Sequence, residues 1–296
     1  MEVRRFAATA LLVLGAVWLL GAGCGGAGGG RDITMDEPVG VERVFEKGDV
    51  LKYRLKADNQ SGVKRTAYEQ TVYSQTEIRT TNTFTEVGED KVDMTMRFDY
   101  AVGSITVGDR VRPDETVSGL RGKELFFALD PNGEVESWTG LSGEAYLEAG
   151  AGQMAMLLYE VFPPLPDGPV TLGTTWKQDY DVPDITSAVD RDFIGETTYT
   201  VKGFKEKYQI PCIDIDRVTE FEFEGRAEQA GEVWLMSGSG SITGEALISI
   251  EDGYVVYGTT EVTLDLHGEG SSVASAAATG VIEMGIKSRL SMELME

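Results

Sequence analysis

The chain reads as a mainly β protein: a large curled antiparallel sheet, a half-barrel or two related β halves, with one main helix packed on its apolar face. Three features of the sequence lead there: long runs of alternating apolar and polar residues, one helix-like stretch in mid-chain, and glycine turns repeating at a near-constant offset. From 282 to 294, Ile282, Met284, Ile286, Leu290, Met292 and Leu294 hold even positions, and Glu283, Lys287, Arg289 and Glu293 hold odd ones. Val262, Leu264 and Leu266 alternate with Glu261, Asp265 and His267, and Val92, Met94, Met96 and Phe98 with Asp93, Arg97 and Asp99. Ile213, Ile215, Phe221 and Phe223 share one parity, and Asp214, Asp216, Glu220 and Glu222 the other. A period of two with one wet side is the pattern of antiparallel sheet solvated on one face. Strands this long reach roughly 40 Å, which favours a strongly twisted, curling sheet.

Taken in order, residues 1–23 form a signal segment, with Arg4 and Arg5 ahead of an apolar run from Phe6 to Leu20. That run is short of the roughly 20 apolar residues that span a bilayer. It ends in Leu20-Gly21-Ala22-Gly23-Cys24, which resembles the lipobox of bacterial lipoproteins, although Gly21 stands where that motif usually has leucine. The resemblance implies cleavage before Cys24 and acylation of its thiol. It places the protein in the cell envelope, lipid-anchored in the outer membrane or on the outer face of the plasma membrane. Residues 24–44 then supply the lipidated cysteine and a tether opened by Gly25-Gly26-Ala27-Gly28-Gly29-Gly30. Once Cys24 is acylated, Cys212 has no partner for a disulfide, and Asp214 and Asp216 beside it favour an unreactive thiol.

Residues 45–140 form a first β half, 141–166 a helix and proline-rich connector, and 167–296 a second β half. Ser142 can cap the helix, along which Leu147, Gly150, Met154, Leu157 and Val161 recur at spacings of three and four. Phe162-Pro163-Pro164-Leu165-Pro166 ends it. The halves share a plan. Gly48 before Val50-Leu51-Lys52-Tyr53 corresponds to Gly173 before Thr175-Trp176-Lys177, and the turn at Asn132-Gly133 corresponds to the one at Asp252-Gly253.

The stretch from Phe162 to Trp176 carries the pattern P-x-L-P-x-x-P-V-x-x-G-x-x-W. It resembles a signature of bacterial lipoprotein families of uncharacterised role, themselves similar to half-barrel proteins such as the outer-membrane lipoprotein carrier. The resemblance implies a curled sheet around an apolar cavity with a helical lid. It covers about 15 residues and assigns no active residue.

A formal charge of −23 becomes −24 when residues 1–23, with Arg4, Arg5 and Glu2, are removed. That balance excludes a basic nucleic-acid footprint and a polybasic membrane patch, so attachment rests on the lipid. His267 is the only histidine and sits on a wet strand face, with no nucleophile elbow, phosphate loop or zinc ligand set in the chain. Asp130-Pro131-Asn132-Gly133-Glu134 reads as a hairpin turn and not as a calcium loop. No enzyme activity, cofactor or metal is expected. The first functional reading is a binder of a lipid or other hydrophobic molecule, lined by Met94, Met96, Phe98, Met154, Leu157, Leu158, Met284, Met292 and Leu294. The second is a structural or interaction lipoprotein with a packed core and no ligand.

Overall fold

The computed structural model describes residues 30–65, 68–140, 161–180, 189–229, 232–272 and 278–295. The helix expected after Ser142, and with it Met154, Leu157 and Leu158, lies outside the described residues, as does Cys24. The described chain is almost entirely strand. In order the strands are β1 (Arg31–Asp32), β2 (Val50–Arg65), β3 (Tyr68–Val87), β4 (Val92–Val107), β5 (Arg110–Pro113), β6 (Glu124–Leu129) and β7 (Val135–Gly140). After them come β8 (Thr175–Tyr180), β9 (Val189–Lys207), β10 (Ile210–Gln229), β11 (Glu232–Ser249), β12 (Val255–Ser272) and β13 (Ala278–Leu294). One short helix, α1 (Glu115–Gly119), is capped by Asp114, whose carboxylate accepts from the Thr116 and Val117 N–H groups.

All the strands join one antiparallel sheet, in the order β1-β9-β10-β11-β12-β13-β2-β3-β4-β6-β7, with β8 beside β9 and β5 beside β4. The C-terminal strand therefore closes against the first long strand. Leu294 pairs with Tyr53, and further along the same register Ser288 donates to Asn59. Each flank of that seam is a meander, and both begin alike. Gly48 (φ +96°) donates to Phe84 O at 2.8 Å, and Gly173 (φ +83°) to Val201 O at 2.9 Å.

The sheet curls toward its apolar face until its two edges meet. Gln178 on β8 donates to Glu134, in the turn before β7, at 3.2 Å. Tyr53, fully buried on β2, reaches past β13, the one strand between them, to donate to Val255 O on β12 at 2.7 Å. Tight curling requires small residues on the inner face. Phe221 on β10 is flanked by Gly195 and Gly240, its direct partners on β9 and β11. A Cβ at Gly240 would lie 2.5 Å from the Phe221 ring, so the aromatic side chain fills the space that two absent side chains leave.

The inner face carries two apolar clusters. The first spans both halves at the end where the edges meet. It includes Tyr53, Met94, Met96, Phe98, Leu125, Ile213, Ile215, Ile248 and Met292. The second lies on the far stretches of β10 to β13.

Candidate functional site

The first cluster is closed by a plug built from the N-terminal segment and the proline-rich connector. Arg43 is its hub. Its guanidinium donates to Asn132 O, to Pro163 O at 2.7 Å and to Gly253 O at 3.1 Å, and lies 5.4 Å from the centre of the Phe162 ring. One side chain thus joins the two equivalent turns, 130–134 and 250–253, to the connector. Burial pushes the Arg43 pKa down to about 10, against the opposing pull of Asp130. Phe45, Phe84 and Phe162 pack around it with ring centres 4.8 to 6.2 Å apart.

The connector's residue pattern has a structural reason at each step. Pro163 O receives Arg43 and Pro164 O receives the Trp176 indole N–H at 3.2 Å. Val170 and Val39 exchange backbone bonds of 2.8 and 2.9 Å, and Trp176 stacks on Tyr199 at 5.1 Å. Neither proline carbonyl has a regular strand partner, and the arginine and the indole supply one. A groove of about 580 Å³ remains over the plug, lined by Arg43, Glu134, Phe162 and Leu165 among others.

The expected lining residues divide between the two clusters. Met94, Met96 and Phe98 are at most 1% exposed on β4, inside the plugged core. Met292 belongs to that core as well, and Leu294 packs on its margin. A void of about 10 Å³ lies beside Met292, room for one water at most. Met284 alone lies in the second cluster, with Phe221, Phe223, Trp234, Met236, Ile242, Val262, Leu264, Leu266 and Ile286.

That second cluster is the candidate site. All ten side chains project from one face of four adjacent strands, and only Val63 of β2 and Ile282 of β13 are packed against them from the margins. All ten are at most 9% exposed, and Leu264 is not exposed at all, so this trough is buried as it stands. A belt of polar groups separates it from the plugged core. Thr197 and Thr219 share a hydrogen bond of 2.8 Å, Arg217 reaches Thr260 Oγ1 at 2.6 Å, and Ser288 meets Asn59. Parity alone points to Phe221 and Phe223, which fall in step with Ile213 and Ile215. Trp234 and Met236 come from a strand where Gly238 and Gly240 break the apolar alternation, and this hides them.

The outer face holds little chemistry. A groove of about 740 Å³ crosses β10 to β13 and β2, lined by Glu222, Glu224, Asp265, His267 and Glu283 and also by Phe223, Leu266 and Met284 of the second cluster. His267 Nδ1 lies 2.7 Å from Glu283 Oε1, and this contact raises the imidazole pKa. A raised folded pKa means that the pair adds stability below the ordinary histidine range, and that this is lost as pH climbs through the raised value. The single histidine signal in an NMR titration is expected to move above pH 6.5 and to return toward it in Glu283→Gln; no change in that variant would rule the contact out. Cys212 is buried at a strand end on the face opposite Ile213, in a small cluster with Leu247 and Val256. Burial, with a smaller contribution from Asp214, pushes its thiol up to about 12, so it is unreactive. Among the described residues no group of histidine, cysteine or carboxylate side chains could hold a metal ion. The 130–134 segment is a hairpin turn, with Gly133 (φ +86°) donating to Asp130 O at 3.0 Å.

No family model and no curated protein sequence matches the chain. Among solved structures, one described as showing lipid–protein interactions in lipovitellin is similar over 86% of this chain and 26% of its own, at 12% identity and a TM-score of 0.49. This chain therefore spans about a quarter of that protein's length. The OccK5 (OpdH) protein of Pseudomonas aeruginosa is similar over 84% of this chain at 7% identity and a TM-score of 0.26. A DUF1329 family protein from Desulfovibrio piger is similar over 79% of this chain at 8% identity and a TM-score of 0.14.

Proposed function

We propose that this protein is a lipoprotein of the bacterial cell envelope, anchored through Cys24, that holds a lipid or another extended apolar molecule along the second cluster. One observation carries the reading: ten apolar side chains, each at most 9% exposed, gathered on a single face of four adjacent strands and set apart from the plugged core by a polar belt. A sheet buries its apolar face against a second layer, against itself or against a guest. At the plugged end the connector and the N-terminal segment provide that second layer. At the other end a guest would lie along the same face, displacing what now buries it, with the polar belt marking where its apolar part must stop. Met236 and Met284 suit such a surface, because the flexible thioether adapts to chains of differing shape.

The test compares native and denaturing mass spectra of the intact exported chain. A covalent acyl group appears in both. A non-covalent lipid appears only in the native spectrum and disappears after organic extraction. The expected result is such a difference of lipid mass, sharply reduced in Met284→Gln and unchanged in Met96→Leu. Identical native and denaturing masses, with no uptake of added fatty acid or phospholipid, would sink the proposal. They would leave a tethered, non-enzymatic structural or interaction module, the reading that the tight packing of Met94, Met96 and Phe98 favours at the plugged end.

A further inference from the structure

We propose that the plugged end of the barrel stands on the anchoring bilayer through the β9–β10 turn, and that the apolar trough is thereby held away from that bilayer. This rests on the lipid-anchor reading of Cys24. The chain's point of exit sets the geometry. Arg31 pairs with Glu206 and Asp32 with Lys205 in antiparallel register, and Ile33 donates to Phe204 O at 3.0 Å. Gly30 therefore lies level with the tip of β9, against Lys205, with the chain heading outward past the turn. Five residues separate it from Cys24, and the six extended steps between them reach at most about 20 Å.

The trough is far from that exit. Phe221, its nearest member on β10, lies 11 residues beyond Ile210, roughly 36 Å along the strand. Strand tilt in a curled sheet of this kind reduces this to roughly 27 Å of height. By register Ile242 and Val262 lie two residues nearer the turn, opposite Thr219, and the rest of the cluster lies level with Phe221 or beyond it. The distribution of charge disfavours lying flat. Around the turn each cation is matched: Arg31 with Glu206 at 3.0 Å, Lys205 with Asp214 and Lys202 with Asp216 at 2.7 Å, and Lys207 with Glu293 at 3.9 Å. The outer wall around the trough instead presents Glu220, Glu222, Glu224, Asp265, Glu269 and Glu283 to solvent, against the exposed cations Lys64, Arg226 and Lys287. Anionic headgroups repel such a wall and tolerate a neutral tip. At the tip stands Tyr208, 42% exposed and held at φ +55° with Gln209 at φ +65°. Non-glycine residues take that conformation at a cost, and here it sets at the tip a partly exposed ring whose hydroxyl donates to Glu293, an amphipathic side chain of the kind that favours the membrane interface. An end-on stance means that the trough trades its ligand with the aqueous side or with a facing surface and not with its own bilayer.

The experiment uses the full acylated chain in vesicles of phosphatidylcholine and phosphatidylglycerol whose headgroups carry a nitroxide quencher. A fluorophore is placed on Gln209→Cys or on Glu269→Cys; the buried native thiol at Cys212 does not compete. Quenching several-fold stronger at 209 than at 269 is expected. Equal quenching, or stronger quenching at 269, on a chain whose N-terminal peptide carries the acyl mass overturns the orientation alone. A chain without acyl mass and with neither probe quenched overturns the anchor reading and the orientation with it.

Discussion

Arg43→Ala is expected to lower the stability of the chain by about 4 kcal/mol, the larger part from orphaned carbonyls. The guanidinium donates to Asn132 O, Pro163 O and Gly253 O, and no other described side chain donates to these three atoms. A buried acceptor without a donor costs about 1 to 3 kcal/mol, and water entering from the groove over the plug offsets part of the total. Loss of the cation from the Phe162 face adds about 1 kcal/mol. Arg43→Lys is expected to recover less than half, because one ammonium group cannot serve three carbonyls in different directions. Arg43→Met keeps the volume and loses the bonds, so it should behave like alanine with a slightly smaller loss. Urea unfolding of the three variants checks this. A loss below about 1 kcal/mol in Arg43→Ala would mean that the two turns and the connector hold together without their hub.

The alternation of apolar and polar residues made the sheet and its inner face legible, because parity depends only on neighbours in the chain. Val92 to Phe98, Val262 to Leu266 and Ile282 to Leu294 all turn inward as their parity requires. The shared plan of Gly48 with Gly173 and of Gly133 with Gly253 was legible for a similar reason: each glycine takes a positive φ that a turn demands. Parity does not say what an inward residue meets. Met96 on β4 and Met284 on β13 read alike in sequence, yet the first lies in the plugged core and the second in the trough. The difference comes from which distant segment crosses each stretch of sheet. That is set by Arg43 and the connector, 120 residues apart at their shared bond. The helix expected across the apolar face lies outside the described residues, so the division of the lining set rests on the strands alone.

Phe98→Ala separates the two clusters by their response. Phe98 is fully buried on β4 and sits among Met94, Met96 and Leu125, which are at most 1% exposed. Removing a ring from such a site loses its transfer energy and leaves a cavity that rigid strands on both sides cannot close. The expected cost is about 4 kcal/mol. Leu264→Ala is expected to cost about 3 kcal/mol, the middle of the range for such a truncation, because Leu264 is fully buried as well. The effects on ligand should run the other way. Phe98→Ala, studied below its unfolding midpoint, is expected to keep the non-covalent mass of the unmodified protein, whereas Leu264→Ala is expected to retain less. If both variants lose the ligand equally while folded, the two clusters form one continuous cavity. In that case the β4 methionines would line the site along with Met284, and the boundary at Thr197, Thr219 and Ser288 would be a feature of the unliganded state alone.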